Sequence, residues 1–147
     1  MVAQLADQPQ WMEAFYETGV FERVYDVAMQ YANSDPMEVN RLAAMNLLTE
    51  LWLRMPTYMD LKEDYQEEFL DLLRSFSHHH APTVQLAVCS FLFMLLDMLI
   101  PAKNRFAPFV YKTLVFASIA NDERPDVRNY LFKSLGSLFQ RHPTVYP

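Results

Sequence analysis

The sequence predicts an all-α protein built from repeated pairs of helices. Apolar residues recur three or four positions apart along most of the chain, which places them on one face of a helix. No segment alternates apolar and polar residues as a half-buried strand does. Glycine occurs only 2 times in 147 residues, so turns that need a left-handed backbone are scarce, and proline marks the connections instead.

Three amphipathic stretches predict the first helix of each pair. They span residues 21–33, 61–77 and 106–121. In the first stretch the apolar face holds Phe21, Val24, Ala28 and Tyr31. The third is expected to begin at Pro108, because proline suits a first helical turn. The residues before Phe21 predict one more helix, which Gly19 would end.

Three longer segments predict the second helix of each pair. Each runs from one proline to another and has a valine two or three residues after the first proline, and they span residues 36–56, 82–101 and 125–143. The valines lie 45 and 43 residues apart, and such regular spacing indicates a repeat. We therefore predict one domain, 1–147, with an N-terminal helix at 1–19 and repeats at 20–56, 57–101 and 102–143.

This frame resembles the HEAT-repeat family, to which armadillo repeats are closely related. The third copy shows the pattern most clearly, with an acidic residue, Val-Arg, and apolar residues four, eight and eleven positions after the valine. These residues are Asp126, Val127, Arg128, Leu131, Leu135 and Leu138. The second copy has Val84, Val88, Leu92 and Leu95 in the apolar positions. The first has Val39, Ala43 and Leu47, followed by Glu50.

The resemblance covers about residues 20–143 and implies an α-solenoid of about three and a half helix pairs. Repeats of this kind bury their apolar faces against neighbouring repeats and usually need polar capping units at both ends. We therefore expect a piece of a longer solenoid, or ends that further repeats, a second copy or another partner would cover.

Composition argues against catalysis and nucleic-acid binding. The net charge is −6, acidic and basic residues are mixed along the chain, and there is no run of Lys and Arg to neutralise phosphates. There is no Gly-rich loop, and the carboxylates follow helix faces rather than converging in a cleft. Cys89 has apolar neighbours, which raise the pKa of a thiol and make it inert. We expect no enzyme, no cofactor and no small-molecule substrate.

Two conspicuous segments are explained without a metal site or a membrane span. The consecutive His78, His79 and His80 are expected to form a solvated turn without a metal, because tight sites need ligands that converge from spaced positions. Residues 84–100 are almost wholly apolar but barely long enough to span a membrane. They occupy the Pro-to-Pro segment of the second copy, and the equivalent segments of the other two copies are amphipathic helices. We predict a core helix there and no membrane span.

The start of the chain and its cysteine content predict a compartment. Residues 1–10 have neither the basic start nor the apolar run of a signal peptide. A single cysteine suits a reducing environment. The expectation is a cytoplasmic or nuclear protein.

A partner-binding surface is predicted on the second helices. In the third copy, polar residues recur 2, 6, 10, 13 and 14 positions after the valine, which places them on one arc of the helix. They are Asn129, Lys133, Ser137, Gln140 and Arg141. The same positions in the first copy are Arg41, Met45, Thr49, Trp52 and Leu53, and in the second Leu86, Ser90, Met94, Asp97 and Met98. Stacked repeats would align these arcs, with Asp97 beside Gln140 and Trp52.

Exposed Met and Trp side chains make adaptable contacts, and a large exposed apolar patch usually marks a binding site. We therefore predict a non-catalytic scaffold that docks a peptide or an amphipathic helix on this face. The predicted contact residues are Arg41, Met45, Thr49, Trp52, Leu53, Leu86, Met94, Asp97, Met98, Lys133 and Arg141. The alternative is that further helices cover the patch as core.

The family resemblance leaves two other functions open. Some HEAT-type domains bind tubulin through the turns along one edge, which here would include residues 78–80 and 121–124. Others belong to chromosome- or RNA-associated assemblies, which the net charge of −6 disfavours here.

Overall fold

The computed structural model describes residues 14, 17–60, 63–77, 81–119 and 124–143, and all regular structure in these ranges is helical. Seven helices lie there, and the predicted all-α class is therefore confirmed for this part of the chain. They are α1 (Val20–Ser34), α2 (Glu38–Arg54), α3 (Pro56–Asp60), α4 (Glu63–Phe76), α5 (Pro82–Leu99), α6 (Ala107–Ile119) and α7 (Pro125–Arg141).

The predicted helix boundaries agree with the structure to within a few residues. α5 and α7 begin at Pro82 and Pro125, where a missing backbone N–H costs no helical hydrogen bond. α3 was not predicted. Most of the expected N-terminal helix lies outside the described residues, but Gly19 has a φ of 77° and is the left-handed residue that was expected there.

The chain divides into two compact units, Met1–Leu72 (unit 1) and Leu73–Pro147 (unit 2), and the boundary falls inside α4. In unit 1, α1 packs against α2 across a three-residue connection, and α2 contacts α3. In unit 2, α5, α6 and α7 all contact one another. Each unit thus has its own set of packed helices.

Aromatic side chains form the interior of unit 1. The rings of Tyr25 and Tyr65 stack with centroids 3.7 Å apart, and the Tyr25 hydroxyl donates a hydrogen bond to the Tyr65 carbonyl oxygen at 3.0 Å. Burial is the main reason why the pKa of Tyr25 is raised well above its ordinary value, and the nearby Glu68 carboxylate raises it further. Trp52 lies against Phe69, with ring centroids 6.4 Å apart. These pairs join α4 to α1 and α2.

The helix α5 is the centre of unit 2. Its buried residues are Val84, Gln85, Val88, Cys89, Leu92, Phe93, Leu95, Leu96 and Leu99. They lie on more than one side of the helix because α5 packs against both α6 and α7, which accounts for a sequence that is apolar nearly all round. Within the described ranges α5 is also the one helix long and apolar enough to cross a membrane, and half of it is buried here.

The predicted core positions are right in two of the three second helices. Val84, Val88, Leu92 and Leu95 of α5 are buried, as are Val127, Leu131, Leu135 and Leu138 of α7. In α2 the prediction is wrong, because Val39 is 64% exposed and the buried positions come one residue later than expected. Those positions include Ala44, Leu48 and Leu51.

A buried glutamine in unit 2 is hydrogen-bonded at both ends. Gln85 donates from Nε2 to the Ser77 carbonyl oxygen at 2.7 Å and accepts at Oε1 from Arg124 Nη1 at 2.9 Å. Ser77 follows α4, whereas Arg124 precedes α7. One side chain of α5 thus connects the start of α7 to the end of α4.

Replacing Gln85 with leucine should lower the free energy of unfolding by about 1–3 kcal/mol, because the buried Ser77 carbonyl would lose this donor. Urea denaturation followed by circular dichroism measures the change. The matched control is Gln140→Leu on the exposed face of α7, with an expected change within about 0.5 kcal/mol. Equal changes in both variants would contradict a structural role for the Gln85 hydrogen bonds.

The turn between α5 and α6 ends one helix and starts the next. The Lys103 N–H bonds to the Ile100 carbonyl and the Asn104 N–H to the Leu99 carbonyl, a Schellman arrangement with Lys103 in the left-handed position at φ 53°. The Asn104 side chain then accepts a hydrogen bond from the Phe106 N–H at 2.8 Å. Lys103 therefore occupies a backbone conformation that favours glycine.

The change Lys103→Gly should raise the free energy of unfolding by about 1 kcal/mol, because glycine adopts this φ without steric cost. The control is Lys112→Gly, an exposed position within α6, where glycine should lower stability by about 1 kcal/mol. Thermal melts of both variants test the opposite signs. A loss of stability in both would refute the interpretation of the turn.

Candidate partner-binding groove

The structure removes three residues from the predicted binding surface. Met45 and Thr49 are fully buried and Trp52 is 1% exposed, so the prediction that they face a partner is wrong. The Thr49 hydroxyl donates to the Met45 carbonyl oxygen at 2.9 Å, and Trp52 packs on Phe69. The physical reason is the orientation of α2, which turns this arc into the interior of unit 1.

The other predicted residues of unit 1 are half-buried. Arg41 lies one turn from Glu38, with Nη2 3.8 Å from the Glu38 carboxylate oxygen Oε1, and Leu53 lies beside the buried Trp52 in the helix. Neither forms an open apolar surface.

The predicted residues of unit 2 stay at the surface. Met94, Lys133 and Arg141 are exposed, whereas Leu86 and Met98 are half-buried. Asp97 is also partly exposed, and its Oδ1 lies 2.9 Å from Arg141 Nε and 3.0 Å from His142 Nε2. Gln140 was the predicted neighbour of Asp97 on α7, but the side chains that contact Asp97 are those of the next two residues, Arg141 and His142. Asp97 therefore joins α5 to the C-terminal end of α7.

An apolar groove runs between α1 and α2 on the surface of unit 1. Its volume is about 660 Å³, within the range typical of binding pockets. The residues lining it are Arg23, Val24, Val27, Ala28, Tyr31, Asp35, Asn40, Ala43, Ala44 and Leu47. Val27 is 45% exposed and Tyr31 55% exposed, so two large apolar side chains of this groove face solvent.

The groove exists because both helices carry a second apolar stripe. On α1, Phe21, Tyr25, Ala28 and Ala32 are buried, and Val20, Val24, Val27 and Tyr31 form a neighbouring stripe at the same helical spacing. On α2, the stripe of Val39, Ala43 and Leu47 lies outside the buried arc. Ala28, Ala43 and Ala44 are small, which keeps the groove open.

Polar residues mark the edge of the groove. Asp35, in the connection between α1 and α2, accepts hydrogen bonds at Oδ1 from the Met37 backbone N–H at 2.8 Å and from Asn40 Nδ2 at 3.2 Å. This Asx turn fixes where α2 begins. Arg23 lies twelve residues earlier, so the edge carries a positive and a negative side chain about 18 Å apart along the helix.

The two units carry opposite net charges. Residues 1–72 contain 14 Asp and Glu against 4 Lys and Arg, a net charge of −10. Residues 73–147 contain 4 against 8, a net charge of +4. The expectation of charges mixed along the chain is therefore wrong at the level of the units, and the groove belongs to the strongly acidic one.

The single cysteine of the chain is buried in unit 2. Burial raises the pKa of the Cys89 thiol to about 12, so the nucleophilic thiolate is scarce near neutral pH. Among the described residues, no three His, Cys, Asp or Glu side chains come together in a way that could hold a metal ion. The predicted His78–His80 turn and most of the 121–124 turn lie outside the described residues, whereas Arg124 bonds to Gln85.

The groove was missed because the sequence prediction assigned Val39, Ala43 and Leu47 to the core. A usable signal was nevertheless present, since α1 has two apolar stripes and can bury only one of them against α2 and α4. Summing charge separately over the two halves of the chain would likewise have revealed the acidic unit.

No family model, no curated protein and no solved structure matches this chain.

The buried thiol gives a direct chemical test of unit 2. The native protein should react with a disulfide reagent such as DTNB at least about 1000-fold more slowly than the denatured chain, because Cys89 is both inaccessible and protonated. The control is an exposed thiol, Lys133→Cys in a Cys89→Ala background, which should react at once. Rapid reaction of Cys89 in the native protein would contradict its burial.

The raised pKa of the Cys89 thiol also makes the stability of the protein depend on pH. The ordinary thiol pKa is 9.0, so above pH 9 the unfolded chain ionises while the folded chain keeps its proton up to about 12. The thiol therefore lowers the free energy of unfolding progressively as pH rises through this window and has no effect below it.

Proposed function

We propose that this chain is a HEAT/armadillo-like repeat module that binds other proteins without catalysis, and that the α1/α2 groove is its docking site. The observation that carries the proposal is the exposed apolar lining of the groove, with Val27 and Tyr31 on one wall and Ala43 and Leu47 on the other. Exposed apolar surface of this kind is costly unless a partner covers it.

The shape of the groove favours a helical partner. Two neighbouring helices form its walls, and an amphipathic helix can lay its apolar face between them. Val24 and Tyr31 are seven positions apart and so about 10 Å apart along α1, which corresponds to two helical turns of the partner. A ligand with apolar residues seven positions apart would therefore reach both ends of this wall.

The charge of unit 1 selects a basic partner. At −10, the unit attracts cations over a distance set by the ionic strength, about 10 Å at 0.1 M salt. A helix with lysines on its outer face gains from this field, whereas one with glutamates is repelled. Apolar contact then supplies affinity, and the charge supplies selectivity and association rate.

Binding of two synthetic helices tests the proposal. Both peptides have about 18 residues and the same Leu and Phe face, one with lysines and the other with glutamates on the outer face. Fluorescence anisotropy should show binding of the lysine peptide alone. Val27→Glu, which puts a carboxylate into the groove, should weaken that binding at least about tenfold, or 1.4 kcal/mol.

The control variant carries Met94→Glu and Met98→Glu on α5, the part of the earlier predicted surface that remains at least partly exposed in unit 2. It should bind the lysine peptide with unchanged affinity. If it loses binding while Val27→Glu keeps it, the docking site lies on α5 and the groove proposal fails. Circular dichroism of each variant confirms that helicity is intact.

A further inference from the structure

We propose that the natural occupant of the α1/α2 groove is α7 of a second copy of this chain, so that the protein associates head to tail. This inference rests on the proposed docking groove and names its partner. It follows from an exposed aromatic stripe on α7, from the spacing of that stripe and from the opposite charges of the two units.

The stripe consists of Phe132, Gly136 and Phe139, which lie four and three residues apart and so share one face of α7. Phe132 is 55% exposed and Phe139 38% exposed, although α7 buries Leu131, Leu135 and Leu138 on its inner side. Tyr111 of α6 lies against Phe139, with ring centroids 6.1 Å apart. Two large aromatic side chains are thereby presented outward from a folded helix.

The groove and the stripe match in spacing. Phe132 and Phe139 are seven residues apart, as are Val24 and Tyr31, and both pairs extend about 10 Å. Bulky rings need a recess, and the groove offers the small Ala28, Ala43 and Ala44. Large side chains on one surface thus meet small ones on the other, which is how helices pack closely.

The glycine in the stripe fits the same arrangement. Gly136 lies within α7, where glycine costs about 1 kcal/mol relative to alanine. A Cβ atom there would meet nothing within 4 Å, so packing inside the chain does not require glycine. A notch between two phenylalanines instead admits a projecting side chain of an incoming surface, and Tyr31 of the groove is such a side chain.

Charge favours association between unlike units. Unit 1 at −10 and unit 2 at +4 attract each other when they belong to different copies, whereas two copies of unit 1 repel. On α7, Lys133 follows Phe132 directly in the sequence, and Arg128 lies about one helical turn before Phe132. A pairing of groove with groove is therefore disfavoured, and a pairing of groove with α7 is favoured. Such an interface uses two different surfaces and can continue from copy to copy.

Sedimentation velocity of the full chain and of two variants tests this inference. The wild-type chain should form species that grow with concentration and shrink as NaCl is raised from 50 to 500 mM. Val27→Glu blocks the groove and Phe132→Glu blocks the stripe, so each variant alone should be monomeric. Mixed in equal amounts they should form a one-to-one dimer and nothing larger, because one intact groove and one intact stripe remain.

Several outcomes would overturn the inference. A wild-type chain that stays monomeric at all concentrations would do so, as would a mixture of the two variants that forms no dimer. Self-association that persists in Phe132→Glu alone would indicate pairing of groove with groove. The matched control is Phe116→Glu on α6, an exposed phenylalanine outside the stripe, and loss of assembly in this variant would also count against the stripe.

Two further variants guard against misfolding. Ala43→Glu blocks the groove from its α2 wall, and Gly136→Glu blocks the stripe at a position where the side chain has open space and glutamate is a better helix former than glycine. They should behave as Val27→Glu and Phe132→Glu do.

The lysine peptide distinguishes this inference from the proposed function. Phe132→Glu keeps an intact groove and should bind the peptide as tightly as the wild-type monomer does. If it binds the peptide but forms no dimer with Val27→Glu, self-association is refuted and the docking groove stands. If it does not bind the peptide, the docking groove itself is refuted.

Discussion

The burial of Met45 and Trp52 fixes the orientation of α2, and the surface of unit 1 follows from it. Once Trp52 packs on Phe69, the opposite side of α2 must face outward together with Val39 and Leu47. A helix cannot bury every side of itself against two neighbours. The exposed groove is therefore a consequence of how this unit builds its interior, and its apolar character comes from a helix with more apolar residues than its packing uses.

The sequence was sufficient to predict where the helices lie but insufficient to predict which side of α2 faces the interior. Prolines and helical periodicity located α2, α5 and α7 to within a few residues, because both signals are local. α7 also has a clear polar arc, and its buried leucines were predicted correctly. In α2, by contrast, apolar residues occur nearly all round, so periodicity alone could not distinguish the stripe of Val39 from that of Leu48. Only the neighbours of the helix decide between them.

Asp97 and Gln85 show how polar residues fit into the apolar α5. Gln85 is buried and satisfied by hydrogen bonds at both ends of its amide, whereas Asp97 stays partly in solvent and meets two side chains from the end of α7. Near the start of α5, Gln85 connects the helix to Arg124, the residue before α7. Near the end of α5, Asp97 connects it to the C-terminal end of α7. The sequence indicated that Asp97 was unusual, but Arg124, which bonds to Gln85, and Arg141, which bonds to Asp97, lie 39 and 44 residues away and could not be identified by spacing.

In unit 2 the contacts between α5, α6 and α7 join helices that are adjacent in the chain or separated by one helix. Within unit 2, for example, Asn104 completes α5 and starts α6 in a single turn, so the two helices meet after a short loop. Short loops lose little entropy on closure, and proteins with such local contacts fold quickly. During synthesis, α5 would meet α6 and then α7 soon after these helices emerge from the ribosome, which shortens the time that the apolar α5 spends unprotected.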